Sequence, residues 1–189
     1  FSFVLQAVSY EFQNKLGNFL GVRTFQWFLV INGIVGPLLL GGAVATFFDG
    51  SNFLVSKANI TDSLQPVISR WANASNGLDA LLDIWNVSFG LSVFFLARVL
   101  GALYILNNVA DDVLRQRCRR QVLGNVGAFL ILFLTYFVRT LLKDGYAYDP
   151  LTGTIAMEPY KYLHNLLTMW PLLVLFVIGV GLLLYGVIR

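Results

Sequence analysis

Four long apolar runs separated by polar stretches organise this chain. They occupy residues 24–48 (TFQWFLVINGIVGPLLLGGAVATFF), 85–108 (WNVSFGLSVFFLARVLGALYILNN), 122–142 (VLGNVGAFLILFLTYFVRTLL) and 165–188 (NLLTMWPLLVLFVIGVGLLLYGVI). Helical backbone rises about 1.5 Å per residue, so about 20 residues cross roughly 30 Å of hydrocarbon, and each run is long enough to do so. Residues 1–10 read as the tail of a preceding span. The pattern predicts an all-α, polytopic transmembrane helical bundle forming a single membrane domain over residues 1–189.

Composition strengthens that reading. Hydrophobic residues make up 57% of the 189 and charged residues only 12%, against about 25% charged in an ordinary soluble domain. The mean hydropathy is +0.71. A soluble fold of this size could not hide so much apolar surface, so part of it must face lipid.

Charge then orients the spans. Residues 11–23 carry Lys15 and Arg23, residues 109–121 carry Arg115, Arg117, Arg119 and Arg120, and Arg189 falls on the same side. The other side has loops 49–84 and 143–164, with Lys57, Arg70, Lys143 and Lys161 against seven acids: Asp49, Asp62, Asp79, Asp83, Asp144, Asp149 and Glu158. Seven basic residues against four make 11–23 and 109–121 the cytoplasmic loops, and 49–84 and 143–164 the outer ones. Trp27, Trp85, Tyr104 and Trp170 lie near span ends, as interfacial belts do. Loop 49–84 is too long for a simple turn. Its stretch SLQPVISRWANASNGLDALL is expected to hold short surface helices, with Trp71 packing back on the bundle. The chain starts at Phe1 and stops after an apolar run, and both ends read as cuts through a longer protein.

Several chemistries are excluded. One cysteine, Cys118, permits no intramolecular disulfide, paired-Cys haem attachment or Cys-rich metal site. The one histidine, His164, precedes the fourth run, where a surface or capping role is expected ahead of haem ligation. The basic residues form no nucleic-acid stripe, and no phosphate loop, nucleophile elbow or metal-binding helix pair occurs. Asn59, Asn73 and Asn86 begin Asn-x-Ser/Thr sequons, a pattern common by chance.

Candidate residues are those that sit awkwardly in a bilayer. Arg98 lies near the centre of the second run, where a charge costs about 2.5–3.5 kcal/mol on insertion scales. All ten acids lie in connections, and Asp111, 13 residues along, is about 20 Å away. Arg98 therefore meets a counter-charge from missing helices, a partner subunit or a cofactor carboxylate, or else it snorkels to the cytoplasmic interface or is solvated by Asn32 and carbonyls. Arg139 is within one turn of the outer end of its run, where snorkelling suffices. Ala97 with Gly101, Gly124 with Ala128, and the crowd of Gly33, Gly36, Gly41 and Gly42 predict close helix packing. Pro37 removes a backbone donor and is expected to loosen its helix locally. The cluster Arg115, Arg117, Arg119 and Arg120 is a topology determinant or a contact for anionic lipid head groups.

Three stretches are similar in sequence to subunit II, the haem-free subunit, of cytochrome bd-type quinol oxidases. They are VSYEFQNK followed by NGIVGPLLLGGAVATFFDGSNF, then LDIWNVSFGLSVFFLARVLGALYILNN followed by DDVLRQRCRRQVLGN, then RTLLKDGYAYDPLTG. The resemblance covers nearly the whole chain in order. It implies a fragment of a larger fold of two helical bundles, eight or nine spans in all, lying in the bacterial cytoplasmic (inner) membrane. It implies a heterodimer with a haem-bearing subunit I that carries haem b and haem d, oxidises quinol and reduces dioxygen to water. It leaves room for a structural quinone on this subunit, and implies no cofactor held by residues 1–189 alone. The family's acidic proton-route residues belong to spans that precede this segment and have no counterpart here. The competing readings are a fragment of a secondary transporter, suggested by the Gly/Pro-interrupted first run, and a non-catalytic membrane scaffold.

Overall fold

The computed structural model describes residues 2–56, 69–151 and 153–188. Lys57, Asn59, Asp62 and Arg189, used above for loop charge and sequons, lie outside the described residues. Four helices are long and apolar enough to cross a membrane, which is the helical membrane bundle expected from the apolar runs. Helix is the element that satisfies every backbone donor and acceptor within one segment when no water is near. The chain divides into two compact units, Phe1–Arg98 and Val99–Arg189.

The first unit contains α1 (Ser2–Phe12), α2 (Val22–Asp49), a hairpin of β1 (Phe53–Val55) and β2 (Ser69–Trp71), and a short 3-10 helix (Leu78–Leu82). It also holds the leading part of α3 (Ile84–Asn108). Helix α2 runs unbroken through Pro37. The interruption that favoured a transporter is therefore not present at that position. Helices α2 and α3 approach each other closely through glycines. A Cβ on Gly41 would sit 2.7 Å from Gly90 Cα, and a Cβ on Gly90 would sit 2.6 Å from the Leu38 carbonyl oxygen.

Within the stretch expected to hold short surface helices, residues 63–68 lie outside the described residues, Ser69–Trp71 is a strand and Leu78–Leu82 is a short 3-10 helix. The hairpin pairs Phe53 with Trp71, Leu54 with Arg70 and Val55 with Ser69. Trp71 is exposed at the end of β2. Its ring lies over Gly77, where a Cβ would come within 2.7 Å of the indole. Asn76 and Gly77 both have positive φ, 51° and 91°, so the Asn-Gly pair forms a tight reversal that a bulkier residue at 77 would block twice over.

The second unit contains the remainder of α3, then α4 (Asp112–Leu142), a hairpin of β3 (Gly145–Tyr148) and β4 (Ile155–Glu158), α5 (Lys161–Thr168) and α6 (Trp170–Ile188). Val99 and Ala102 of α3 form a buried core with Val122 and Val126 of α4, and Leu183 and Val187 of α6 pack against it. Phe129, Phe133 and Phe137 stack along α4, and Phe176 of α6 closes on Phe137 at 4.6 Å between centroids.

Two element boundaries differ from the sequence reading. The arginine-rich stretch expected as a loop at 109–121 is helical from Asp112 onward. Asp111 caps α4, its carboxylate accepting from the Leu114 N–H at 2.9 Å, and Leu, Arg and Gln after it are strong helix formers. The fourth run, expected as one helix over 165–188, is broken at Met169 into α5 and α6. Pro171 is the cause. It disfavours helical backbone at the residue before it and clashes with the carbonyl four residues back, yet fits the first turn of a new helix. The 19 residues of α6 still reach about 28 Å.

Candidate functional site

Polar groups within or beside the spans are the places where chemistry could reside. The first is an amide cluster in the first unit. Asn32 of α2 is buried, accepts from Ser2 Oγ, and donates through Nδ2 to Gln6 Oε1 of α1 at 2.5 Å. Ser9, fully buried on α1, satisfies its hydroxyl on the Leu5 carbonyl at 2.6 Å. The amide considered above for solvating Arg98 is thus engaged by α1. Sequence reasoning missed the cluster because Ser2 and Gln6 belong to a segment read only as a tail.

Arg98 lies on an exposed face of α3 with its guanidinium 5.7 Å from the centroid of Phe94, one turn earlier, a favourable cation–π distance. Arg139 is half-buried in the last turn of α4, where a cation also complements the helix C-terminus. Asn86, one of the sequon residues, is buried at the start of α3. Its Nδ2 donates to the Ala80 carbonyl at 2.8 Å, and its Oδ1 has no donor among the described residues.

The small residues expected to mediate packing separate into two groups. Gly36 lies under the ring of Phe3 at ordinary contact distance, and Ala97 and Ala128 are half-buried. At Gly33, Gly101 and Gly124 a Cβ would meet nothing within 4 Å, whereas Gly41 and Gly42, of the expected crowd in α2, are closely approached, as is Gly90 of α3, which was not among the expected residues. Gly90 is marked only by the backbone of α2 lying against it, which spacing along one helix does not reveal.

A cleft belongs to the second unit. A cavity of about 830 Å³ is lined by Leu103, Leu106 and Asn107 of α3, by Asp112, Arg115, Gln116, Arg119, Val122 and Leu123 of α4, and by Gly186 and Val187 of α6. Two of the four clustered arginines, Arg115 and Arg119, face it. Arg117 and Arg120 do not line it. Its floor is the apolar core at Val122. The arrangement joins two cationic side chains to an apolar cleft.

Outside the spans, Asp79 gathers Asn52 Nδ2 at 2.6 Å, Ser75 Oγ at 2.8 Å and Asn73 Nδ2 at 3.3 Å. The hydrogen bonds from Asn52 and then Ser75 hold its carboxyl below the usual carboxylate value. A carboxyl lowered on folding contributes stability above its unfolded value, and that contribution is lost as pH falls through the folded value. Amide exchange over residues 69–82 is therefore expected to accelerate as pH drops below about 4, relative to the intrinsic chemical rate. Asp79→Ala should already show the faster exchange at pH 7. Identical protection in the two proteins at neutral pH would count against the knot.

His164 is exposed on α5, and its position lowers the neighbouring Glu158 carboxyl further after the dominant hydrogen bond from Lys161. Cys118 is half-buried beside the core of the second unit. Among the described residues no group of three or more His, Cys, Asp or Glu side chains converges.

The sequence model of one family, described as cytochrome bd terminal oxidase subunit II, matches residues 1–189. No curated protein and no solved structure matches.

Proposed function

Because this chain belongs to the cytochrome bd terminal oxidase subunit II family, a component of haem-containing multi-subunit membrane oxidoreductases, we infer that it is the subunit that carries no haem itself and packs against a haem-bearing partner. In that complex, electrons from a membrane quinol reduce dioxygen to water at the partner's haems b and d. The family match over residues 1–189 is the observation that carries the reading.

The donor set supports this division of labour. Haem iron needs strong axial donors inside the membrane domain. The single histidine of this chain is exposed on α5, outside the long helices. What this chain offers instead is helix surface. No more than 28% of any span's most apolar window is buried within the chain, and none of α6's is. The remainder is available to lipid and to neighbouring helices, and the open glycines Gly33 and Gly124 would let such helices approach closely. Residues 11–23 and the arginine-bearing end of α4 face the bacterial cytoplasm, and the two hairpins face outward.

The test is purification of the tagged full-length protein in mild detergent. A larger subunit should copurify, the complex should show reduced-haem absorption bands, and this subunit separated from it should show none. A folded, haem-free protein that never recruits a partner would overturn the assignment. A structural quinone on this subunit would appear as extractable quinone that stays after the partner is removed.

A further inference from the structure

We propose that the cavity at the arginine-bearing end of α4 is a binding site for one anionic phospholipid, its phosphodiester held by Arg115 and Arg119 and an acyl chain lying along Leu103, Val122 and Val187. The inference requires only that these helices lie in a bilayer, and it stands apart from the oxidase reading.

Helix length places the cavity at the right depth. The 31 residues of α4 extend about 46 Å, roughly 16 Å more than the hydrocarbon layer. Arginines 115, 117, 119 and 120 cluster at one end and Arg139 stands in the last turn at the other, so most of the excess lies at the N-terminal end. Residues 112–121 therefore emerge through the head-group layer, and Val122 marks the start of the apolar slab. A cavity bounded by Arg115 above and by Val122 and Val187 below straddles that boundary.

The side-chain chemistry is selective. Arg115 and Arg119 are four residues apart, so their guanidinium groups project from one face and can engage a single phosphate together, each with paired N–H donors. Among the described residues neither guanidinium has an ion-pair partner. Asp112 stands on the same rim. Its carboxylate disfavours a doubly charged free phosphate but is an acceptor for the hydroxyls of a glycerol head group. The apolar floor has no role in binding a soluble anion, whereas an amphiphile uses both halves of the site. These features point to a monoanionic phosphodiester with hydroxyl donors and a hydrocarbon tail.

The test uses the full-length protein, purified in mild detergent with whatever subunits accompany it, and phosphatidylglycerol as the probe. Native mass spectrometry follows its binding to the unaltered protein and to two double variants, R115Q/R119Q and R117Q/R120Q. The first is expected to weaken binding by about thirtyfold, since both head-group contacts are lost. The second should change it by less than about twofold, because exposed charges off the site contribute little. R115K/R119K keeps the charge and should restore part of the affinity, which separates lost recognition from misfolding. A phosphatidylglycerol with a photoactivatable acyl chain should label the peptides holding Leu103 and Val122, and R115Q/R119Q should abolish that labelling. Equal losses in the two glutamine variants would reduce the site to diffuse surface charge and overturn the proposal. So would displacement of the lipid by excess inorganic phosphate, equal binding of phosphatidylcholine, or no labelling because protein covers the cavity.

Discussion

Gly90→Leu is expected to destabilise the first unit by about 3 kcal/mol, the upper part of the usual range for overpacking. The reason is what a side chain at 90 would strike. A Cβ there would come within 2.6 Å of the Leu38 carbonyl oxygen and 3.4 Å of the Gly42 nitrogen. Both are backbone atoms of α2, which cannot swing aside as the end of a flexible side chain can. Gly41 faces the same contact from the other helix, where an added Cβ would lie 2.7 Å from Gly90 Cα. The helices must separate or shift register, and every contact between α2 and α3 weakens with them. Gly101→Ala is the control on the same helix, because a Cβ at 101 meets nothing within 4 Å. It should be neutral or stabilising by about 0.5–1 kcal/mol, the ordinary helix preference for alanine over glycine. Denaturation in detergent, followed by helical circular dichroism, measures both. Equal midpoints for Gly90→Leu and Gly101→Ala would show that the approach of α2 to α3 is not tight.

Comparison of Gly90 with Gly101 also shows where sequence reading reached its limit. Runs of apolar residues long enough to span a bilayer identify α2, α3, α4 and α6, since length and hydropathy are properties of a segment alone. Which helix faces meet is a property of two segments. Gly101 has Ala97 four residues away and looks like half of a packing motif, whereas Gly90 is flanked at that spacing by Asn86 and Phe94 and looks like nothing. The amide cluster of Ser2, Gln6 and Asn32 was hidden for the same reason, since its two helices are joined only by docking. Other differences were legible but outweighed. Pro171 carries a helix-breaking signal that a continuous apolar run obscured. The stretch after Asp111 combines a strong N-cap with good helix formers, but its four arginines read as a loop because charge and helix were treated as alternatives. In α4 the two coincide, since its 31 residues are longer than a hydrocarbon layer needs. The arginine cluster was visible in the sequence, while its division into two residues that face a cavity and two that do not required the helix phase and the position of α6.

Arg98→Leu should reduce quinol oxidase activity by at least about tenfold and diminish both partner copurification and haem content, in line with the loss of one member of a desolvated polar contact. The sign of the effect distinguishes the readings of this residue. Arg98 is about 15 Å from the Asn108 end of α3, near mid-membrane, and its face is exposed on this chain. Were that face simply toward lipid, leucine would be the better residue by about 2.5–3.5 kcal/mol, and the variant would be more stable with activity intact. If a neighbouring subunit or a cofactor carboxylate engages the guanidinium, leucine leaves that group desolvated and unmatched, and assembly fails. Arg98→Lys tests the geometry further. It keeps the charge but loses the planar fork and the stacking on Phe94, so an intermediate defect is expected. Arg139→Gln is the matched control, since a cation one turn from a helix end reaches the interface by its own length and its removal should leave assembly nearly unchanged. Unaltered haem content and oxidase activity in Arg98→Leu would remove Arg98 from the subunit interface and return it to the lipid.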